Sequence, residues 1–198
     1  ANQGLIASAA KDGGKIVSLL EINCETDFVA KNPAFVQFAG ELAAKACDTD
    51  GSLADQVKDV VVQKITETGE NIVVKRNIRY TLSGSGLIAS YIHMGGKVGA
   101  IVEVACGKAE TAAHEGFREL VKDLTLQIAA ASPRYLVSSE VPADTIAAER
   151  EVYATQVKDK PAQIIDKIVD GKIKKFYSEI CLVDQIFVKD SKLSISAL

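Results

Sequence analysis

An internal repeat constrains the fold of this 198-residue chain more than any other feature. Residues 4–42 match residues 86–124 at a constant offset of 82, without a gap and with 13 identities in 39 positions. Average composition predicts about two or three identities by chance in a window of this length. Because a duplicated stretch of this length encodes one supersecondary unit twice, the sequence predicts two related folding units.

Each copy begins with two short apolar runs that flank a Gly-Gly-Lys triplet. The runs are residues 5–10 and 16–23 in the first copy and residues 87–92 and 98–106 in the second. Glycine reaches positive φ without steric cost, so each triplet predicts a tight turn and each pair of runs predicts a β-hairpin. The triplets do not match a phosphate-binding loop, which has Ser or Thr after its Lys.

Helical patterns follow each hairpin. Apolar residues recur at three- and four-residue steps in both copies, which predicts amphipathic helices: Phe35, Phe38, Leu42 and Ala46 in the first, and Phe117, Leu120, Val121, Leu124 and Ile128 in the second. A further helix is predicted over residues 53–68, ending at Gly69, and a strand over residues 71–82.

The second copy differs from the first by an insertion. Residues 142–178 contain two helical patterns separated at Pro161, which predicts an antiparallel helical hairpin. A strand over residues 179–188 is then expected to close the copy, and residues 189–198 are expected to fray. The predicted class is α+β, with two related ββααβ subdomains, antiparallel sheets and the inserted hairpin. The predicted subdomains are residues 1–83 and 84–198.

Composition argues against several classes of function. The net charge of -3 gives no basic footprint for nucleic acid, and no apolar run is long enough to predict a membrane span. The four cysteines form no C-x-x-C pair and only two histidines accompany them, so we predict buried free thiols in a reducing compartment rather than a zinc site. No catalytic motif is present, and we expect neither enzymatic activity nor a cofactor or metal.

The two copies diverge most at residues 25–29, which read Glu-Thr-Asp-Phe-Val where residues 107–111 read Gly-Lys-Ala-Glu-Thr. An aromatic residue in such a loop has two explanations. In the first, Phe28 packs back onto the following helix while Thr26 or Asp27 caps that helix. In the second, Phe28 is an exposed anchor that enters a pocket of a partner protein.

The residues around this loop resemble a known family. Residues 21–31, with the sequence EINCETDFVAK, resemble the signature of elongation factor Ts along all eleven positions. The resemblance continues through residues 91–96, residues 128–133 and the inserted hairpin, and so covers nearly the whole chain. That family also has two related core subdomains and an inserted antiparallel helical hairpin.

The resemblance implies a guanine-nucleotide exchange factor for elongation factor Tu, the GTPase that delivers aminoacyl-tRNA to the ribosome. It implies that Thr26, Asp27, Phe28 and Val29 wedge into the GTPase near its magnesium site. Phe28 would separate two helices, and Asp27 would disturb the groups that hold the ion. His93 and Gln127 are further expected partner contacts; many bacterial members have a histidine at the second of these positions. The chain itself would bind no nucleotide.

Family members carry an N-terminal helical domain, and this chain is expected to begin after it and therefore to bind its partner more weakly. The resemblance is greater to cyanobacterial and plastid members than to enteric ones. The expected location is a bacterial cytoplasm or an organelle, either plastid or mitochondrion. The alternative is a structural interaction module that keeps the fold without exchange activity. An RNA-binding domain has little support, given the acidic balance and only five Tyr and six Phe.

Overall fold

The computed structural model describes residues 3–198. The chain is an α+β protein with antiparallel sheets, as predicted. It divides into two compact units, of which the first ends at Ala129 and the second is Ala130–Leu198. The predicted boundary between residues 83 and 84 follows the sequence repeat instead, and it stays a prediction.

The first copy of the repeat forms a three-stranded antiparallel sheet. Strands β1 (Gln3–Lys11) and β2 (Ile16–Cys24) form the predicted hairpin, and β3 (Val73–Thr81) pairs with the other edge of β2. Gly13 has a φ of 66° in the turn, which explains the glycine requirement there. The strand predicted over residues 71–82 is confirmed, with slightly shorter bounds.

Three helices contribute side chains to one core with this sheet. They are α1 (Asp27–Lys31), α2 (Pro33–Ala46) and α3 (Lys58–Thr68). The four apolar positions that predicted α2 are all buried, and they pack with strand residues such as Leu20 in one core. Gly69 ends α3 in the left-handed conformation, as predicted, whereas the preceding turn, Ala54–Val57, is a 3-10 helix.

The second copy repeats the hairpin and the helices. Strands β4 (Gly86–His93) and β5 (Val98–Ala105) pair antiparallel, and α4 (Ala109–Ala113) and α5 (Glu115–Ala131) follow. The predicted α5 is confirmed, but its apolar stripe is less buried than that of α2. Val121 is buried, and the other four apolar positions are only half-buried.

The second unit contains the inserted helices α6 (Ala143–Gln156) and α7 (Ala162–Ile180), joined by residues 157–161. The predicted pair of helices and the break at Pro161 are confirmed. Arg150 forms an ion pair with Asp170 over 2.8 Å, which joins the two helices. A small core holds their base, formed by Val141, Phe176, Ile180 and Cys181.

The strand predicted over residues 179–188 is wrong. Helix α7 continues through Ile180, because Val169, Ile173, Phe176 and Ile180 are all buried at helical spacing. Cys181 then forms an isolated parallel bridge with Tyr135. Only Ile186–Phe187 is strand (β6).

The predicted fraying of the last ten residues is also wrong. Strand β7 (Asp190–Ser194) pairs antiparallel with β6, and Ile195 is buried beyond it. The backbone N–H of Ile195 donates to the carbonyl of Gln185 over 2.9 Å. No helix within residues 3–198 is long and apolar enough to cross a membrane.

Candidate partner-binding site

The loop singled out by the repeat comparison joins β2 to α1. Thr26 is the N-cap of α1: its backbone is extended, and its hydroxyl accepts a hydrogen bond from the N–H of Val29 over 3.3 Å. This bond satisfies one of the N–H groups that the first turn of a helix leaves unpaired. The predicted cap is therefore confirmed at Thr26.

Phe28 does not pack back onto the helix. Its side chain is 83% exposed, whereas the next residue, Val29, packs against the core and Ala30 is buried. Successive helical residues point about 100° apart, so a short helix that packs Val29 and Ala30 against the core turns Phe28 toward solvent. The explanation that folds Phe28 onto its own helix is wrong for this structure.

Asp27 forms an ion pair on the same helix. Its Oδ2 lies 3.0 Å from Nζ of Lys31, one turn later, and both side chains are exposed. The hydrogen bond and the positive charge of Lys31 lower the pKa of Asp27 below its ordinary value. Asp27 is therefore an anion at neutral pH, next to the exposed aromatic ring.

Glu70, which no sequence pattern indicated, also contacts this loop. Its carboxylate accepts hydrogen bonds from the backbone N–H groups of Glu25 and Thr26, over 3.0 and 3.1 Å, and from the hydroxyl of Thr26. These bonds lower the pKa of Glu70, with the hydroxyl bond contributing most. Glu70 is 44 residues from Thr26, so no local pattern identifies it; its place directly after the helix stop at Gly69 is the only sequence signal.

Two more contacts hold the loop. The Glu25 carboxylate accepts a hydrogen bond from the N–H of Asn71 over 2.8 Å, and the buried Cys24 thiol donates to the carbonyl of Thr26 over 3.3 Å. Burial, followed by the negative charge of Glu70, raises the pKa of the Cys24 thiol, which therefore stays protonated and able to donate. The backbone that carries the exposed ring is therefore held by hydrogen bonds from Glu70, Asn71 and Cys24.

The two further expected contact residues lie in different surroundings. His93 is exposed at the end of β4, where its Nδ1 is 2.7 Å from the hydroxyl of Tyr91 and the two rings stack with centroids 5.6 Å apart. Gln127 on α5 is fully buried, at 0% exposure. A direct contact between Gln127 and a partner would require the residues around it to move. The structure brings the four loop residues together with Glu70 and places His93 in a separate hairpin turn.

The cysteines are free thiols. Cys24, Cys47 and Cys181 are buried, as predicted, while Cys106 is half-buried. Within residues 3–198, no three His, Cys, Asp or Glu side chains are grouped in a way that suits a metal ion.

Comparison with known proteins identifies the family. The family model described as "Elongation factor TS" matches residues 25–198. Elongation factor Ts of Nitratidesulfovibrio vulgaris is 38% identical over 199 residues, which cover 100% of this chain and 69% of that protein. The protein of the same name from Trichlorobacter lovleyi is 36% identical, covering 98% of this chain and 67% of its own length. That from Clostridium perfringens is 38% identical, with 100% and 68% covered. The chain therefore belongs to the elongation factor Ts family of translation elongation factors.

Proposed function

We propose that this chain is a guanine-nucleotide exchange factor that promotes release of GDP from elongation factor Tu during protein biosynthesis. The observation that carries the proposal is the orientation of Phe28, an exposed aromatic side chain on a loop whose backbone is held by Glu70, Asn71 and Cys24. Membership of the elongation factor Ts family supports the same function.

An exposed phenylalanine on a loop with a fixed backbone is suited to insertion into a partner protein. A single buried aromatic side chain often contributes a large part of an interface, and it does so best when its position is set before binding. Because the loop is already ordered in the free chain, its insertion into the GTPase loses little further conformational entropy. Insertion also removes the apolar surface of the Phe28 ring from water, which is favourable.

The chemistry of the step is electrostatic. We place Phe28 between two helices of the GTPase domain, which brings the anionic Asp27 near the groups that hold Mg²⁺. An extra negative charge there disturbs the ligands and waters of the ion. When the ion is lost, the phosphates of GDP are less well neutralised, and GDP dissociates faster. No covalent bond forms or breaks, so the chain acts as an exchange factor rather than as an enzyme.

Thermodynamic linkage fixes the behaviour of such a factor. If binding of this chain weakens the affinity of the GTPase for GDP by some factor, GDP weakens the affinity of the GTPase for this chain by the same factor. The tightest complex is therefore the nucleotide-free one. His93, exposed and held by Tyr91, is proposed as a second contact with the GTPase, and the buried Gln127 is not needed for the wedge.

A release assay tests the proposal. Elongation factor Tu loaded with fluorescent GDP is mixed with this chain and excess unlabelled GDP, and the fluorescence decay is followed. We expect the release rate to rise with the concentration of the chain, and the complex to weaken when GDP and Mg²⁺ are added. Tight binding that is indifferent to GDP would contradict exchange and favour a structural interaction module of the same fold.

A further inference from the structure

Two connecting segments of the chain, called corners here, are hydrogen-bonded to each other at the exposed loop. The first corner, residues 24–27, leads from β2 into α1, and the second, residues 68–71, leads from α3 into β3. The hydrogen bonds between them run in both directions: Glu70 reaches the first corner, and Glu25 reaches back to Asn71 in the second. The position of the loop therefore depends on a segment that is remote in sequence.

The Glu70 carboxylate matches the donors that face it. Its Oε2 accepts from two consecutive backbone N–H groups, those of Glu25 and Thr26, and its Oε1 accepts from the Thr26 hydroxyl. An ionised carboxylate offers only acceptors, so it satisfies three converging donors. A glutamine of the same shape keeps one acceptor oxygen and no charge, so the N–H groups of Glu25 and Thr26 lose a charge-assisted bond even where that oxygen still accepts them.

The Thr26 hydroxyl passes this constraint to the helix. It has one hydrogen, which it donates to Glu70, and its lone pairs are then left to accept the N–H of Val29 over 3.3 Å. Glu70 thereby fixes the orientation of the hydroxyl that caps α1. Phe28 lies between the cap residue and Val29, so its position is set by the turn that this bond closes.

Glu70 is itself held firmly. The preceding residue, Gly69, ends α3 in the left-handed conformation, and its N–H donates to the carbonyl of Ile65 over 2.8 Å. The N–H of Glu70 donates to the hydroxyl of Thr68 over 3.3 Å. The carboxylate therefore extends from a fixed backbone, as a group that orients another residue must.

We propose that Glu70 is a positioning residue of the exchange site, which holds residues 25–29 in the conformation that presents Phe28 to the GTPase. This inference rests on the proposed exchange function. Glu70 acts through Thr26 and does not itself touch the GTPase. Without it, the presenting conformation occupies a smaller fraction of the free chain, and apparent affinity falls in proportion. The complex, once formed, contains the same Phe28 contact and releases GDP at the same maximal rate.

The test uses Glu70→Gln and a matched control, Glu67→Gln. Glu67 lies in the last turn of α3, three residues before Glu70, and its carboxylate pairs with Lys64 over 2.6 Å instead of with the loop. The first measurement needs no partner: hydrogen exchange of the Glu25 and Thr26 amides is followed by NMR. We expect these amides to exchange about tenfold faster or more in Glu70→Gln and at the original rate in Glu67→Gln.

The second measurement is the rate of GDP release as a function of the concentration of the chain. We expect Glu70→Gln to raise the half-maximal concentration about tenfold while the maximal rate stays within about twofold. Glu67→Gln should leave both values unchanged. If thermal unfolding shows that Glu70→Gln does not fold, Glu70→Asp replaces it, because its shorter side chain keeps the charge but cannot reach all three donors.

Three results would overturn the inference. Amides that exchange at the original rate would mean that Glu70 does not hold the loop. Faster amides with an unchanged half-maximal concentration would mean that loop order does not matter for exchange. A maximal rate that falls by more than about twofold would mean that Glu70 takes part in the contact with the GTPase itself. If the unaltered chain does not accelerate GDP release from the GTPase, the proposed function fails. The amide measurement needs no GTPase, so it still shows whether Glu70 holds the loop.

Discussion

The hydroxyl of Ser8 donates a hydrogen bond to the hydroxyl of Ser90 over 2.9 Å, and these two serines are equivalent positions of the internal repeat. Ser8 lies on β1 and Ser90 on β4, so this bond links the first strands of the two copies. Nearby, the N–H of Ile6 donates to the carbonyl of Gly96 over 2.8 Å. The hairpins of both copies are therefore joined within the first compact unit, although the sequence repeat separates them.

The two Gly-Gly-Lys turns are expected to tolerate substitution differently. Gly14 and Gly96 both have positive φ, but a Cβ on Gly14 would meet nothing, while one on Gly96 would lie 2.8 Å from Cβ of Leu5. Gly96→Ala should therefore destabilise the chain by about 1–3 kcal/mol more than Gly14→Ala, because it adds overpacking to the shared backbone strain. Urea unfolding of the two variants measures the difference, and equal losses would contradict the packing argument.

Replacement of Phe28 by alanine should slow stimulated GDP release at least about tenfold, because an anchor side chain contributes about 2 kcal/mol or more at an interface. Its melting temperature should stay close to that of the unaltered chain, since the ring is exposed. Val62→Ala is the matched surface control, as Val62 is an exposed apolar residue on α3, and it should affect neither value.

Phe35→Ala supplies the opposite control for the same prediction. Phe35 is 1% exposed, so its truncation should cost about 3–5 kcal/mol of unfolding free energy. Its counterpart in the second copy, Phe117, is only half-buried and is a weaker control than the repeat alone predicts. If the melting temperature of Phe28→Ala falls as far as that of Phe35→Ala, the ring of Phe28 stabilises the fold and is not an exposed anchor for the GTPase.

The contribution of Glu70 to stability should depend on pH. Its pKa is lowered in the folded chain, so the ionised carboxylate stabilises the fold above the ordinary glutamate pKa of about 4.3. That stability is lost as pH falls through the lower folded value. The negative charge of Glu70 also acts on a second titratable group, the buried thiol of Cys24, whose pKa it helps to raise.

Urea unfolding at several pH values between 7 and about 3 checks this sign. The difference in unfolding free energy between the unaltered chain and Glu70→Gln should be constant above about pH 5 and should shrink below it. A difference that grows on acidification would contradict the lowered pKa.

Asn77 on β3 is expected to stabilise the loop that precedes α3. Its side-chain amide donates to the carbonyl of Gly51 and accepts from the N–H of Leu53, each over 2.9 Å. Asn77→Ala should cost about 1–3 kcal/mol, because the N–H of the buried Leu53 loses its partner. Chemical denaturation measures the loss, and Asn71→Ala, which removes an exposed side chain, should cost much less.

Ile195→Ala tests the packing of the carboxyl-terminal segment. Ile195 is buried beyond β7, so its truncation should cost about 2–5 kcal/mol, as expected of a core position. Leu198→Ala, three residues later and exposed, should be nearly neutral. Thermal unfolding distinguishes the two variants, and equal melting temperatures would indicate that the segment frays after all.

The sequence by itself determined the local elements of this protein. The repeat predicted both hairpins, helical spacing predicted α2 and α5, and Pro161 marked the break between the inserted helices. The divergence between the copies at residues 25–29, together with the resemblance of residues 21–31, identified the candidate site. These signals are local because periodicity, caps and turns depend on residues within about one or two turns of each other.

Only the tertiary structure decided the rest. Local spacing did not determine the direction of the Phe28 side chain. The side chain points to solvent because Val29 and Ala30 pack against the core. Glu70 reaches Thr26 only because α3 and β3 bring it there, and Gln127 is buried although it is polar. A side chain's environment depends on packing between segments that are remote in sequence, and no pattern within a single segment carries that information.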